Sequence, residues 1–233
     1  MRMAKLFLLL AVLLLSVNTL FAQRKNQIEV YAGAAFPLSP KEFKDYTKVG
    51  VSGNFQYVLF PSPNLGITFN VGYEFFSVDN KKFVDAFSEQ LTGQTATFWV
   101  QNGFNINPSA DIKSNVFRFG AGVRPYLTKP EANTQFFLLG QANFNIIQND
   151  YNVTQLPVQY DPLSNQLFFI TGKDADFEKI AENDENKAGF GVGAGVEIPA
   201  GTSLNLVLQG LFNVVLTKDK STSFVGVTAG LVF

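Results

Sequence analysis

The chain has 233 residues, a formal net charge of −1, and neither cysteine nor histidine. Without cysteine no disulfide or thiolate metal site can form, and without histidine the commonest general base and transition-metal ligand are missing. A nearly neutral chain also offers no electrostatic basis for binding nucleic acid. These properties exclude a disulfide-stapled module and a histidine-dependent enzyme.

The first 22 residues have the pattern of a signal peptide. Arg2 and Lys5 form a short basic region, and an unbroken apolar run at 6–15 follows them. Ala22 is small, as expected before a cleavage site, but Leu20 is larger than the residue usual at its position, which leaves the exact bond open. We predict a signal peptide at 1–22 and one domain at 23–233. The alternative is an uncleaved anchor, for which the apolar run is short.

Period-two alternation of apolar residues with small or polar ones indicates β-strands with two different faces. The predicted strands are about 27–36, 49–60, 65–77, 115–127, 135–147, 188–198, 203–216 and 223–233. A strand of about 11 residues tilted by 40° rises about 28 Å, which is close to the hydrocarbon thickness of a bilayer.

Short and long connections alternate between these strands. The long connections are about 37–48, 78–114, 148–187 and 217–222. Bacterial outer-membrane barrels show this asymmetry, with short periplasmic turns and long external loops. We therefore predict an all-β fold, an eight-stranded antiparallel up-and-down transmembrane β-barrel with both termini in the periplasm. The alternative is a soluble lipocalin-type barrel whose apolar face points inward. The other face, rich in Gly and Asn, suits a crowded lumen better than a solvated surface.

Charged residues on the predicted inner face are few: Glu29, Glu74, Arg118, Arg124 and Glu197. Glu74 and Arg118 lie at equal heights on neighbouring strands, so we expect them to meet. The other three lie near the periplasmic end, where we expect a second cluster. Buried charges must be paired, so we interpret both groups as lumen ion pairs, and a gate for small ions is the alternative. Eight strands leave room for side chains only, which argues against a wide pore.

The external loops are the expected site of function in this architecture. Residues 81–87 suggest a helical turn, whereas 95–100 alternate like a strand. Candidate anchors for a ligand or partner are Phe98, Trp99, Phe168 and Phe169, and the alternative is a solvated loop without a partner.

Two motif matches fail on their context. Asp174, Asp176 and Glu178 lack the spacing of an EF-hand, and the glycine motif at 189–194 lies inside a strand instead of opening a helix. We predict no catalytic residue, no cofactor and no metal, and therefore no enzyme.

The leader, the eight alternating strands and the terminal Phe233 resemble the small outer-membrane β-barrel superfamily that includes the OmpA transmembrane domain, OmpX and OmpW. The end of the leader and the Phe- and Asn-rich sequence resemble its Bacteroidota members, including the PorT-like family. The resemblance implies the Gram-negative cell outer membrane, with outer-membrane lipid and the barrel-insertion machinery as partners. It also implies that Phe233 closes the barrel and faces lipid.

The resemblance does not name the biochemical task. We expect a structural or surface-interaction role, as an adhesin or as a subunit of an envelope or secretion assembly, with an extracellular ligand or an envelope partner protein. The alternative is a narrow channel or transporter for small or hydrophobic solutes, since the inner faces of the fifth and seventh strands are rather apolar.

Overall fold

The computed structural model describes residues 24–172, 185–201, 204–216 and 221–233. The predicted signal peptide, the acidic residues Asp174, Asp176 and Glu178, and most of the predicted loop 217–222 lie outside these residues. The elements in chain order are β1 (Gln27–Ser39), α1 (Lys41–Tyr46), β2 (Gly50–Ser62), β3 (Leu65–Ser77), α2 (Asn80–Thr92), α3 (Ala96–Gln101), β4 (Ser109–Pro125), β5 (Gln135–Asp161), β6 (Gln166–Gly172), β7 (Glu185–Pro199), β8 (Asn205–Val215) and β9 (Thr222–Val232).

Eight of these strands close into a ring in the order β1-β2-β3-β4-β5-β7-β8-β9, and β9 pairs back with β1. Every neighbouring pair in the ring is antiparallel. At the closing seam, the N–H of Phe233 donates to the carbonyl of Ile28 at 2.9 Å, and the carbonyl of Phe233 accepts from the N–H of Ile28 at 3.2 Å. The predicted eight-stranded antiparallel barrel is confirmed.

The period of two sorts side chains between the wall and the lumen. On β1, Glu29 and Tyr31 are buried, whereas Ile28 and Val30 are 44% and 49% exposed. The same outward belt continues around the ring and includes Val51, Phe55, Phe69, Val71, Phe119, Val123, Phe136, Phe144, Phe190, Val192, Leu206, Leu208, Val227 and Leu231. An apolar exterior around a polar lumen is the reverse of a soluble lipocalin-type barrel.

A closed ring leaves no strand edge, so its backbone groups are hydrogen-bonded even in hydrocarbon. Together with the apolar exterior, this makes the domain a transmembrane β-barrel. The expected outward position of Phe233 agrees with its exposure of 61%. Among the described residues, no helix is long and apolar enough to cross a membrane.

The region outside the ring contains more helix and strand than the sequence predicted. Strand β4 begins at Ser109, β5 continues to Asp161, and β6 pairs with this extension of β5. The helical turn predicted at 81–87 is confirmed, because it lies within α2. The strand-like segment predicted at 95–100 is wrong, because it forms α3.

The reason for α3 is local. Thr95 caps the helix, since its Oγ1 accepts a hydrogen bond from the amide of Phe98 at 3.0 Å. Ala96 and Trp99, three residues apart, are both buried, so the apolar residues follow a helical period instead of a strand period.

The two ends of the barrel differ. The short-turn end carries the β2–β3, β4–β5 and β7–β8 connections, together with Arg24 and Phe233. At the opposite, long-loop end, a layer stands beyond the ring. We call this layer the cap; it consists of α2, α3, β6 and the outer parts of β4 and β5 at 109–113 and 150–161.

Candidate functional site: a packed lumen beneath an external cap

A buried ion pair lies near the short-turn end of the lumen. The Arg124 guanidinium donates to both carboxylate oxygens of Glu29, at 2.6 and 2.7 Å, and both side chains are fully buried. The Tyr31 hydroxyl donates to the same carboxylate at 2.5 Å and accepts from Arg124 at 3.0 Å. The guanidinium also lies 4.2 Å from the centroid of the Phe137 ring. The bidentate geometry and the extra donor are what a buried charge pair requires.

Glu197, which we expected in the same cluster, has its ion pair with Arg24 at 3.0 Å. The Tyr126 hydroxyl links the two pairs, because it accepts from Arg124 at 3.3 Å and donates to Glu197 at 3.4 Å. The sequence reasoning missed Arg24, which precedes the first alternating segment and so has no strand position to reveal its direction.

The second ion pair lies in the lumen closer to the long-loop end. Arg118 and Glu74 are 2.8 Å apart and are 3% and 1% exposed. Arg118 also donates to Oδ1 of Asn213 on β8 at 2.7 Å, and Ser52 on β2 donates to Glu74 at 3.4 Å. The pair therefore connects four strands across the lumen.

A belt of buried amide side chains separates the two ion pairs, namely Gln56, Asn70, Gln141, Asn143 and Gln209. Asn70 donates to Gln141 at 2.7 Å. Among the described residues, both amide atoms of Gln56 and Oδ1 of Asn143 have no hydrogen-bond partner. Such groups can hydrogen-bond to water or to a small polar solute.

An apolar plug fills the long-loop end of the lumen. The Phe76 ring lies 5.5 Å from that of Phe224, and Phe43 of α1 packs edge-on against Phe76 at 5.1 Å. Phe76 and Phe224 are each 1% exposed, and Val116 and Val215 join the same cluster. Helix α1, which was not predicted, therefore contributes a side chain to the closure of this end.

The apolar inner residues of β5 and β8 are packed within the lumen. Phe137 and Val207 belong to one buried cluster with Tyr126 and Phe60, and Leu139 and Leu211 are also buried. This packing explains their apolar character as filling of the lumen.

The cap has its own hydrophobic core. Its buried residues are Val84, Ala96, Ala110, Ile112, Val153 and Leu156. Asp85 joins the two helices, since its carboxylate accepts from the amide and the hydroxyl of Thr97 at 2.7 and 2.9 Å. Asn80 accepts from the amide of Ala110 at 2.7 Å and ties α2 to β4. The cap is therefore a packed layer and not a set of separate loops.

Trp99 belongs to this packed layer. Its ring lies 4.5 Å from that of Tyr160, its indole N–H donates to Thr92 at 3.0 Å, and it is 4% exposed. This corrects the expectation that Trp99 presents its side chain to a partner.

The other three candidate anchors are exposed: Phe98 by 38%, Phe168 by 43% and Phe169 by 46%. The outer part of β5 forms a hairpin with β6. Phe168 and Phe169 are successive residues of β6, so they point to opposite faces of this β5–β6 hairpin.

At the tip of the β5–β6 hairpin, hydrogen bonds from the Ser164 hydroxyl and from the Leu163 amide lower the pKa of Asp161. Leu163 itself is almost fully exposed.

No family model matches the chain, and no curated protein sequence matches it. Solved structures do. Neisserial surface protein A is 13% identical with a TM-score of 0.48, covering 89% of this chain and 95% of that one. A major outer membrane protein from Thermus thermophilus is 14% identical with a TM-score of 0.49, covering 90% and 99%. Ail, the attachment invasion locus protein of Yersinia pestis, in complex with the heparin analogue sucrose octasulfate, is 11% identical with a TM-score of 0.45, covering 90% and 100%.

Proposed function

We propose that this protein is an outer-membrane barrel whose role is structural or surface-interacting, performed by the cap. The observation that carries the proposal is the contrast between the two parts of the molecule. The lumen contains buried ion pairs and an aromatic plug, whereas the cap is a folded layer with exposed aromatic residues on its surface. A barrel whose lumen is filled with packed side chains holds the protein in the membrane, and the cap is the part that can bind a partner.

The topology follows from the barrel class. The short-turn end lies in the periplasm and the cap lies outside the cell, as short turns and long loops are arranged in this class. The partner is an extracellular ligand or another envelope protein, such as a component of a secretion assembly. The proposed role is non-enzymatic. The sequence contains neither histidine nor cysteine, so it can form neither a Ser-His-Asp triad nor a Cys-His pair.

The opposite directions of Phe168 and Phe169 allow a matched test of cap binding. A partner that docks on one face of the β5–β6 hairpin contacts only one of these two rings. One of the variants Phe168→Ala and Phe169→Ala should therefore bind the partner about tenfold more weakly, and the other should bind it as wild type does. The loss is expected because an aromatic anchor buried in an interface contributes about 1–2 kcal/mol or more. The measurement is quantitative recovery of co-purifying proteins from native outer membranes with each variant. Equal recovery with wild type and both variants would contradict docking on this hairpin.

The second candidate function is a narrow channel. The observation that favours it is the belt atoms on Gln56 and Asn143 that have no hydrogen-bond partner in the part of the chain that the structure describes. Under our proposal, planar-bilayer recordings of wild type and Glu74→Gln should both lack channel events, because the plug and the Arg24 cluster stay in place. Gel mobility of unheated samples would verify that each variant is folded. Channel events in Glu74→Gln but not in wild type would favour a gate at the Glu74–Arg118 pair instead.

A further inference from the structure

Arg24, three residues before β1, occupies a closely fitted position at the short-turn end. Its guanidinium carbon lies 4.3 Å from the centroid of the Phe60 ring and 4.0 Å from that of Tyr126. One terminal nitrogen is 3.0 Å from Oε2 of Glu197, and the other donates to Oε1 of Gln135 at 2.9 Å. The side chain is 14% exposed. Two rings and two hydrogen-bond acceptors thus surround one planar cation.

The carboxylate in this site is held by other groups. Oε1 of Glu197 accepts from Gln27 at 2.9 Å and from Asn205 at 2.7 Å, and this leaves Oε2 for Arg24 and the Tyr126 hydroxyl. The carboxylate itself is almost completely buried. Its direction therefore does not depend on Arg24 alone.

The amide acceptor is held in the same way. The Nε2 of Gln135 donates to backbone carbonyls of Pro130 at 2.8 Å and of Ala132 at 3.1 Å in the β4–β5 connection. Because the amide nitrogen is anchored by these bonds, the amide oxygen must point towards Arg24.

The receptor and its occupant come from different parts of the chain. Phe60, Gln135, Glu197 and Asn205 belong to ring strands β2, β5, β7 and β8, whereas Arg24 belongs to the short segment ahead of β1. The barrel therefore builds the receptor, and Arg24 enters it from outside the ring. A cavity of about 280 Å³ lies beside Arg24, bordered by Gln27, Gln135, Glu197 and Asn205, and gives access from the short-turn side.

Charge and shape both select a guanidinium. In this buried layer the carboxylates of Glu29 and Glu197 face the guanidiniums of Arg124 and Arg24, so withdrawal of Arg24 leaves Glu197 without its ion pair. A flat guanidinium can stack between two rings while its N–H groups reach two acceptors in its plane, which a compact ammonium cannot do.

We propose that the short-turn end of the barrel carries a guanidinium-binding site, which Arg24 fills within the chain and which a free guanidinium compound fills when Arg24 is withdrawn. The site goes beyond the role proposed for the cap, since it lies at the other end of the molecule and uses none of the cap residues.

The test is a titration of methylguanidine, at millimolar concentration, into the ¹⁵N-labelled full-length protein in lipid nanodiscs. The side-chain amide signals of Gln27 and Asn205 report the site, because both donate to Glu197. We expect methylguanidine to cause saturable shifts of these signals in Arg24→Ala. The double variant Arg24→Ala/Glu197→Gln should bind methylguanidine at least tenfold more weakly than Arg24→Ala. Wild type should also bind it at least tenfold more weakly than Arg24→Ala, because Arg24 competes for the site. Equal binding by the three proteins would overturn the proposal.

Two controls separate the site from general effects. Methylammonium should bind Arg24→Ala at least tenfold more weakly than methylguanidine, and equal affinity would show that charge alone is recognised, against the proposal. If Arg24→Ala does not fold, the wild-type protein decides: the side-chain nitrogen signals of Arg24 should show slow rotation and slow proton exchange. Rapid rotation and exchange there would refute the fitted site.

Discussion

Replacing Arg124 by Met should lower the free energy of unfolding by about 3–5 kcal/mol, because it leaves the fully buried carboxylate of Glu29 without its ion-pair partner. The Tyr31 hydroxyl would remain as a donor, but it carries no positive charge. The folded fraction at each urea concentration can be measured in lipid vesicles by gel mobility without heating, since a folded barrel and an unfolded chain migrate differently.

An exposed ion pair at the long-loop end supplies the control. Lys113 and Asp111 are 2.9 Å apart but 43% and 61% exposed, so Lys113→Met should cost less than about 1 kcal/mol. The double variant Glu29→Gln/Arg124→Met should recover much of the loss, because the unpaired charge is removed together with its partner. A loss in Arg124→Met no larger than that in Lys113→Met would contradict the assigned role of the buried pair.

Replacing Gly195 by Ala should cost about 1–3 kcal/mol through overpacking of the lumen. A methyl group at Gly195 would lie 2.3 Å from the Phe137 ring and 2.6 Å from the carbonyl oxygen of Leu208. The Phe137 ring cannot easily move aside, because it is 1% exposed and contacts both the Arg124 guanidinium, at 4.2 Å, and the Tyr126 ring, at 5.7 Å. The same urea titration measures the loss.

Gly140 is the matched control, since it lies on β5 facing outward. An added methyl group there meets nothing within 4 Å, so Gly140→Ala should change the stability by less than about 1 kcal/mol. Equal effects at the two glycines would show that the substitution acts through strand propensity and not through the crowded lumen.

The barrel and its inner charges were predictable for a common reason. Alternation assigns each residue to the wall or the lumen, and short turns set the register of neighbouring strands, so the heights of Glu74 and Arg118 could be compared before their distance was known. They do meet, at 2.8 Å, although the observed register pairs Glu74 with Val116 and Arg118 with Gly72, so the ion pair is diagonal and not directly across the two strands.

The features that were missed depend on contacts that alternation does not encode. The segment 95–100 is too short for its alternation to distinguish a strand from a helix; capping by Thr95 favours the helix, and the packing of Trp99 against Tyr160 adds to it. The outer part of β5 alternates less clearly through Asn149 and Asp150, so it was assigned to a loop, although it pairs with β4 and β6. Arg24 has no periodic neighbours, and its position depends on a receptor built by four other segments.

The position of Trp99 has a practical consequence for spectroscopy. It is the one tryptophan in the sequence, and it is buried in the cap, beyond the ring. Its emission therefore reports the water-facing layer, and the lipid-embedded wall contains no indole of its own. A melting curve from tryptophan fluorescence would describe the melting of the cap, and electrophoretic mobility would describe the barrel. The two melting midpoints need not coincide. The difference between them would measure how cooperatively the cap and the barrel unfold.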